Sequence, residues 1–299
     1  MTMILTHFDK HTYLQDKHVA SFCDYLLDII IGNTPFTCKL KKVKNQDYLL
    51  NSFSDGINGY YWAGHSYQSN QITLNKLHNE LLNAVQNNDE KGALLASLAI
   101  LDWGQVYREC VNWLVSIAHK NEVISTLTQA TKLIDGSLEV ESDIFNSLFQ
   151  RGGKLRCNSG TTKIFAMLSK KSIIFDGRVA CSIGMIVLDY MSEKNLKSIP
   201  EKLLFLMDAD SKRNPSSCDL TFPSKSNMKH KLLNQAISNV RINYILQKIE
   251  NDVVSSGVFS KHSIDNSETL RAIESVLFMV GYKVHKNHFI ENGRYFSTN

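Results

Sequence analysis

Apolar residues recur at helical spacing along most of the chain. Over 18–31, Val19, Phe22, Cys23, Leu26, Ile29 and Ile30 share one face and Gly32-Asn33 follows as a stop, which predicts an amphipathic helix. The pattern lapses over 33–70, a stretch rich in Asn, Ser, Gly and aromatic residues that ends in Gly59-Tyr60-Tyr61-Trp62-Ala63-Gly64-His65-Ser66-Tyr67. Loop and short strand are expected there. Periodicity resumes over 72–86 and 91–119, the latter with Leu98, Leu101, Val106, Cys110, Trp113, Leu114 and Ile117 inward, and two more helices are expected at 122–134 and 141–150.

The next segment, Arg151-Gly152-Gly153-Lys154-Leu155-Arg156-Cys157-Asn158-Ser159-Gly160-Thr161-Thr162, reads as a glycine-containing basic turn feeding a short helix over 162–169. After Lys170-Lys171 and the apolar link Ser172-Ile173-Ile174-Phe175, Asp176-Gly177 precedes a helix with Val179, Ile183, Ile186, Val187 and Tyr190 on one face. A long loop is expected over 207–230, where Asn214-Pro215 and Phe222-Pro223 fall, then helices near 231–251 and 266–281 and a short terminal strand. The second of these helices buries Leu270, Ile273, Val276, Leu277 and Val280. No repeat or low-complexity stretch interrupts the pattern. With only four prolines in 299 residues, the expected fold class is mainly α with a few short strands. Its expected division is an N-terminal lobe over 1–90 that packs with the C-terminal helices, a hairpin-bearing lobe over 91–200, and a C-terminal loop and helices over 201–299.

Composition narrows the function classes only a little. Hydrophobic residues at 43% and charged residues at 21% exclude a disordered chain. The charge, 33 − 29 = +4, is compatible with a polyanionic partner without requiring one. Six scattered cysteines form no C-x-x-C pair, which disfavours zinc-ribbon and iron–sulfur sites, and no metal is expected. Gly152-Gly153-Lys154 lacks the spacing of a phosphate-binding Walker loop, and Asp208-Ala209-Asp210 fails as a calcium loop because Arg213 stands where that loop needs glycine. The N-terminus has neither a basic start nor a long apolar stretch, and no run reaches the roughly 18 apolar residues of a membrane span, so a cytoplasmic protein without a membrane partner is expected.

The segment 152–187 resembles the helix-hairpin-helix DNA glycosylase superfamily. In that family a hairpin between two helices offers backbone N–H groups to a DNA phosphate, and an essential aspartate opens the following helix. Ser159-Gly160-Thr161-Thr162 corresponds to the hairpin turn and Asp176-Gly177-Arg178-Val179 to the aspartate segment. The chain departs from the pattern in having only Gly160 of the hairpin glycines and a shorter link to the aspartate. The resemblance implies a two-lobed helical glycosylase, a monomer without cofactor, that acts on double-stranded DNA containing a modified base. It further implies that Asp176 stabilises oxocarbenium character at C1′ and directs a water. Lys154, Arg156, Ser159, Gly160, Thr161, Thr162 and Arg178 would hold the DNA backbone. Thr162 takes the likeliest position of the lysine that lyase members carry, and Lys163 stands one step on. Neighbouring helix positions point about 100° apart, so Lys163 is expected to face away from a pocket around Thr162 and Asp176, to be catalytic only in a lyase, and to leave water as the nucleophile. Trp103, Gln105 and Tyr107, with Tyr60, Tyr61, Trp62 and His65, are candidates for the pocket of a flipped base.

Structural roles account for the same residues equally simply. Aspartate before a helix is a common N-cap, Trp103 and Trp113 fit a helical core, and the Tyr60–Tyr67 cluster fits a packed strand. By analogy with members of the family that the chain resembles, the expected substrate is a hypermodified pyrimidine of phage DNA, such as glucosylated hydroxymethylcytosine, excised in antiviral defence. Repair of oxidised or alkylated purines and a non-catalytic DNA-binding module are the alternatives. A nuclease is disfavoured because no acidic cluster with a nearby lysine is evident.

Overall fold

The computed structural model describes residues 9–284 except 44, 45, 107, 108, 218, 228 and 229, and the terminal strand expected from the sequence lies outside that range. The described residues are mainly helical. A short helix α1 (Lys10–Leu14) leads into α2 (Lys17–Ile31), which Asp16 caps by accepting the N–H groups of His18 and Val19 and which Gly32 ends with a left-handed φ of 89°. An antiparallel hairpin follows, β1 (Cys38–Val43) and β2 (Gln46–Leu50), with Cys38 opposite Leu50 and Leu40 opposite Tyr48. A 3-10 turn at Phe53–Ile57 and an isolated bridge between Trp62 and His65 complete the region that the sequence marks as loop and strand.

Helix α3 (Tyr67–Gln86) begins at a Ser66 cap, before the periodic run, because Tyr67 and Asn70 are buried. The single run expected over 91–119 divides into α4 (Glu90–Trp103) and α5 (Glu109–Ala118). The physical reason is a left-handed Gln105 (φ 52°), which lets the Val106 N–H reach the Leu101 carbonyl and closes α4. The inward face resumes after the break, so periodicity alone could not reveal it. Next come α6 (Val123–Ile134), α7 (Ser142–Phe149), α8 (Thr161–Leu168) and α9 (Gly177–Glu193), near the expected positions. Residues 207–230 are irregular in their described part, with short 3-10 turns and a bridge from Met207 to Ser224. Then α10 (Lys231–Ser256) and α11 (Thr269–Val280) close the fold. No described helix is long and apolar enough to cross a membrane.

The long helix α10 is the centre of the packing. It lies against α1, α2, α6, α7 and α11, while α11 packs on α9 and on the Phe53–Ile57 turn, and α3 packs on α4 and α8. N-terminal and C-terminal segments therefore share one hydrophobic core.

Unusually for so buried a helix, α10 carries inward-facing Gln235, Ser238, Arg241 and Asn243, all at most 4% exposed. They satisfy backbone groups of segments that have no regular partner. Asn243 accepts from the Ile173 N–H (3.1 Å) and donates to the Ile134 carbonyl (3.0 Å) and to the Ser172 hydroxyl (3.1 Å). Gln235 donates to the Phe175 carbonyl, Ser238 accepts from the Leu206 N–H, and Arg241 donates to the carbonyls of Glu201 and Leu204. A buried backbone group left without a partner costs roughly 1–3 kcal/mol, so Asn243→Leu, which strips partners from both Ile173 and Ile134, is expected to lower stability by about 2–5 kcal/mol. Denaturant unfolding followed by circular dichroism measures this; a loss under about 0.5 kcal/mol would show that the link does not depend on Asn243.

Candidate active site

The link Ser172–Phe175 ends at Asp176, whose position is set from three sides. Asp176 is the N-cap of α9: its Oδ1 accepts from the N–H groups of Arg178 (2.9 Å) and Val179 (3.1 Å). The Ile174 N–H donates to Glu274 of α11 (2.6 Å), and the Phe175 carbonyl accepts from Gln235. Capping consumes only Oδ1. The other oxygen, Oδ2, stands 3.8 Å from the Nζ of Lys163.

This placement corrects the expected register. Lys163, not Thr162, lines the cavity shared with Asp176. Thr162 is fully buried, and its hydroxyl lies against the carbonyls of Ser159 and Phe175. The reason lies in the turn: α8 begins at Thr161, and its second residue is held under the Phe175 carbonyl, which turns the third into the cavity. Lys163 Nζ also donates to the Ser159 carbonyl (2.9 Å), and its stem runs over Gly104, where an added Cβ would lie 2.4 Å from the lysine Cδ. Burial of the ammonium pushes its pKa below the ordinary 10.5, opposed by the nearby Asp176 and Glu274. Glu274 is itself buried and paired with Arg271; desolvation raises its pKa.

The cavity holds about 260 Å³, in the range of a small-ligand site. Tyr60, Trp62, Trp103 and Gln105 line it, as expected. Tyr61 packs against the core and the exposed His65 pairs with the Trp62 backbone, so neither lines it; Tyr107 lies outside the described residues. The aromatic wall is wired by hydrogen bonds. Trp62 Nε1 donates to the Trp103 carbonyl (3.2 Å), Trp103 Nε1 to Asn70 (2.9 Å), and Asn70 in turn to the Tyr60 hydroxyl (2.9 Å). Arg178 sits over the rings of Phe278 (4.3 Å), Tyr282 (4.6 Å) and Trp62 (5.4 Å), a cation–π arrangement that fixes it in the cavity wall.

The hairpin differs from the expectation drawn from the resemblance. The N–H groups of Gly160 and Thr161 both donate to the Asn158 side chain, which caps α8 from within, so those two amides are already partnered. The Thr161 hydroxyl, equally buried, accepts from the Asn158 N–H. Lys154 pairs with Glu122 (3.7 Å) and Arg156 with Glu109 (2.7 Å), both near the surface, while Ser159 lines the cavity. Asn158 was the signal available in the sequence: an Asn three residues before Thr161 is a ready cap.

Sequence reading also missed Asp208, Arg213, Glu274 and Phe278, all in the cavity wall. Asp208 accepts from Lys225 (2.7 Å) and lies 4.0 Å from Arg213. Glu274 was detectable as the one acid among the apolar positions Leu270, Ile273, Val276 and Leu277 of a buried helix face. Among the described residues no group of three His, Cys, Asp or Glu side chains could hold a metal ion. No family model matches the chain, and no curated protein or solved structure matches it.

Gly177 admits Asp208 to the site, since a Cβ there would fall 1.7 Å from the Asp208 Oδ2. Gly177→Ala is expected to destabilise the protein by about 1–3 kcal/mol through this overlap, and Asp208→Ala in the same chain should relieve most of that loss. A double-mutant cycle on denaturant midpoints tests the pair; strictly additive effects would refute the contact.

Proposed function

We propose that the chain is a DNA N-glycosylase with lyase activity, in which Lys163 attacks C1′ of a flipped nucleotide beside Asp176. The observation that carries this reading is a buried amine of lowered pKa within 3.8 Å of a carboxylate oxygen that faces the same cavity. A structural ion pair explains it less well, because burying two charges returns little stability after desolvation. A lowered pKa, by contrast, is what an amine nucleophile needs. The proposal replaces the expected water nucleophile with Lys163.

In the reaction, the Nζ–C1′ bond forms as the C1′–N-glycosidic bond breaks, and the base leaves with that electron pair and takes up a proton. Asp176 stabilises positive charge at C1′ and receives the proton that the amine loses. Sugar ring opening gives an iminium, and loss of a 2′ proton then expels the 3′ phosphate. Trp62 and Trp103 supply apolar surface for an extrahelical base. The polar side chains Gln105, Asp208 and Arg213 beside them suit a base that carries hydroxyl substituents, which keeps glucosylated hydroxymethyl pyrimidines of phage DNA as the first substrates to test, ahead of oxidised or alkylated purines.

Abasic-site DNA with borohydride tests the chemistry without knowledge of the base. A covalent protein–DNA adduct is expected for the native chain and none for Lys163→Ala. Asp176→Asn, which keeps the cap, should slow adduct formation by about 10²-fold or more. Absence of an adduct in the native chain would overturn the lyase reading. Base release from modified DNA, read by mass spectrometry, then identifies the substrate.

The pH dependence follows from the same amine. The charged form cannot attack, so adduct formation is expected to rise with pH through the folded-state pKa of Lys163 and to level off below 10.5. A rate still rising steeply at 10.5 would mean that the amine is not depressed.

A further inference from the structure

Beside the candidate active site lies a second cavity, of about 270 Å³, which shares Val106 and Ser159 with the first. The two are therefore adjoining. Its floor is apolar, from Val106, Cys110, Cys157 and Leu232, and charged groups stand at its edge: Lys225, about one-quarter exposed, Lys231, about half exposed, and Glu109, which pairs with Lys231. Gln235 lines it too, 2% exposed; its Nε2 is committed to the Phe175 carbonyl, while its Oε1 accepts no hydrogen bond among the described residues. An apolar floor, a lone buried acceptor and lysines at the rim match a nucleotide: the floor takes a base, the acceptor an N–H of its edge, and the lysines its phosphate.

We infer that this groove binds the nucleotide adjoining the excised one, so that the protein takes two consecutive nucleotides out of the stack. This rests on the proposed glycosylase reading for the identity of the first nucleotide, and it adds a site of its own. Lys225 is already turned toward the shared wall, with its Nζ 2.7 Å from Asp208 and 3.4 Å from the Ser159 hydroxyl. Lys231 faces Glu109 at 3.8 Å, an exposed pair that a phosphate can replace at small cost. The shared wall of Val106 and Ser159 places the occupant next to whatever fills the first cavity, as consecutive nucleotides of one strand would lie.

The test uses oligonucleotides that carry one abasic site, with the base on its 5′ or its 3′ neighbour either present or replaced by a tetrahydrofuran spacer. Binding is read by fluorescence anisotropy and chemistry by borohydride trapping. For the native chain, removal of the base on one side only is expected to weaken binding and slow trapping roughly tenfold, as for one lost base contact. Leu232→Trp, which fills the groove away from Lys163 and Asp176, should weaken binding to the intact neighbour equally and erase the difference between the two oligonucleotides. Lys231→Gln should lower the salt dependence of binding by about one phosphate contact. Equal behaviour of all oligonucleotides with the native chain would overturn the inference, whatever the variants do, because that comparison changes only the DNA. If Lys163 forms no adduct while anisotropy still distinguishes the neighbours, the groove stands and the lyase chemistry falls.

Discussion

The rest of the structure depends on a four-residue segment without regular hydrogen bonding. Ser172–Phe175 crosses the interior between α8 and α9: its Ser172 N–H donates to the Ser169 carbonyl, while the Ile173 and Ile174 N–H groups, the Ser172 hydroxyl and the Phe175 carbonyl meet side chains, Asn243 and Gln235 from α10, Glu274 from α11 and Thr162 from α8. Each unpaired group there would cost about as much as a lost hydrogen bond with nothing in return. The polar residues of α10 thus hold the link extended and buried, and the link delivers Asp176 to the start of α9 at a fixed distance from α8. The same helix secures the 201–206 segment through Ser238 and Arg241. A central helix that looks merely mixed in composition is the frame on which the irregular parts are hung.

That frame also explains the electrostatics of the cavity. Glu274 holds the link by accepting from Ile174 and is itself answered by Arg271, whose guanidinium also donates to the Ala166 carbonyl at the end of α8. The carboxylate that supports the link therefore lies beside Lys163 and opposes part of its depressed pKa. Lys163 is held between desolvation, which favours the neutral amine, and two acids, which favour the ammonium. The scaffold and Lys163 share one network, and a change in Glu274 would move both.

The cavity walls likewise serve two purposes. The indole and phenol groups of Trp62, Trp103 and Tyr60 are joined through Asn70, so their polar ends are satisfied without water and their rings are held in place. Gln105, in a left-handed conformation that costs a non-glycine residue about 1–2 kcal/mol, both ends α4 and presents an exposed amide at the cavity. On the other side, Asn158 takes up the Gly160 and Thr161 amides, so the cap that stabilises α8 leaves neither N–H free for another acceptor.

Sequence by itself determined the helical class, the positions of most helices and the two segments that meet at the site, because amphipathic periodicity, the stop at Gly32 and the cap at Asp176 are local signals. Asp176 was legible as the residue that opens α9. Of the seven residues expected to form one pocket, Tyr60, Trp62, Trp103 and Gln105 do line the cavity, whereas Tyr61 and His65 do not and Tyr107 lies outside the described residues. Tertiary structure alone decided which of Thr162 and Lys163 faces Asp176. That choice turns on one residue of register at the start of α8, set by Asn158 and by the Phe175 carbonyl above Thr162. Only the fold, too, could bring Asp208, Arg213 and Glu274 into the cavity from segments 30 to 100 residues away, since their contacts are long-range and leave no periodic trace. Nothing in the sequence marks the Gln235 and Asn243 amides of α10 as buried. Their burial follows from what packs around that helix, and no local pattern encodes it.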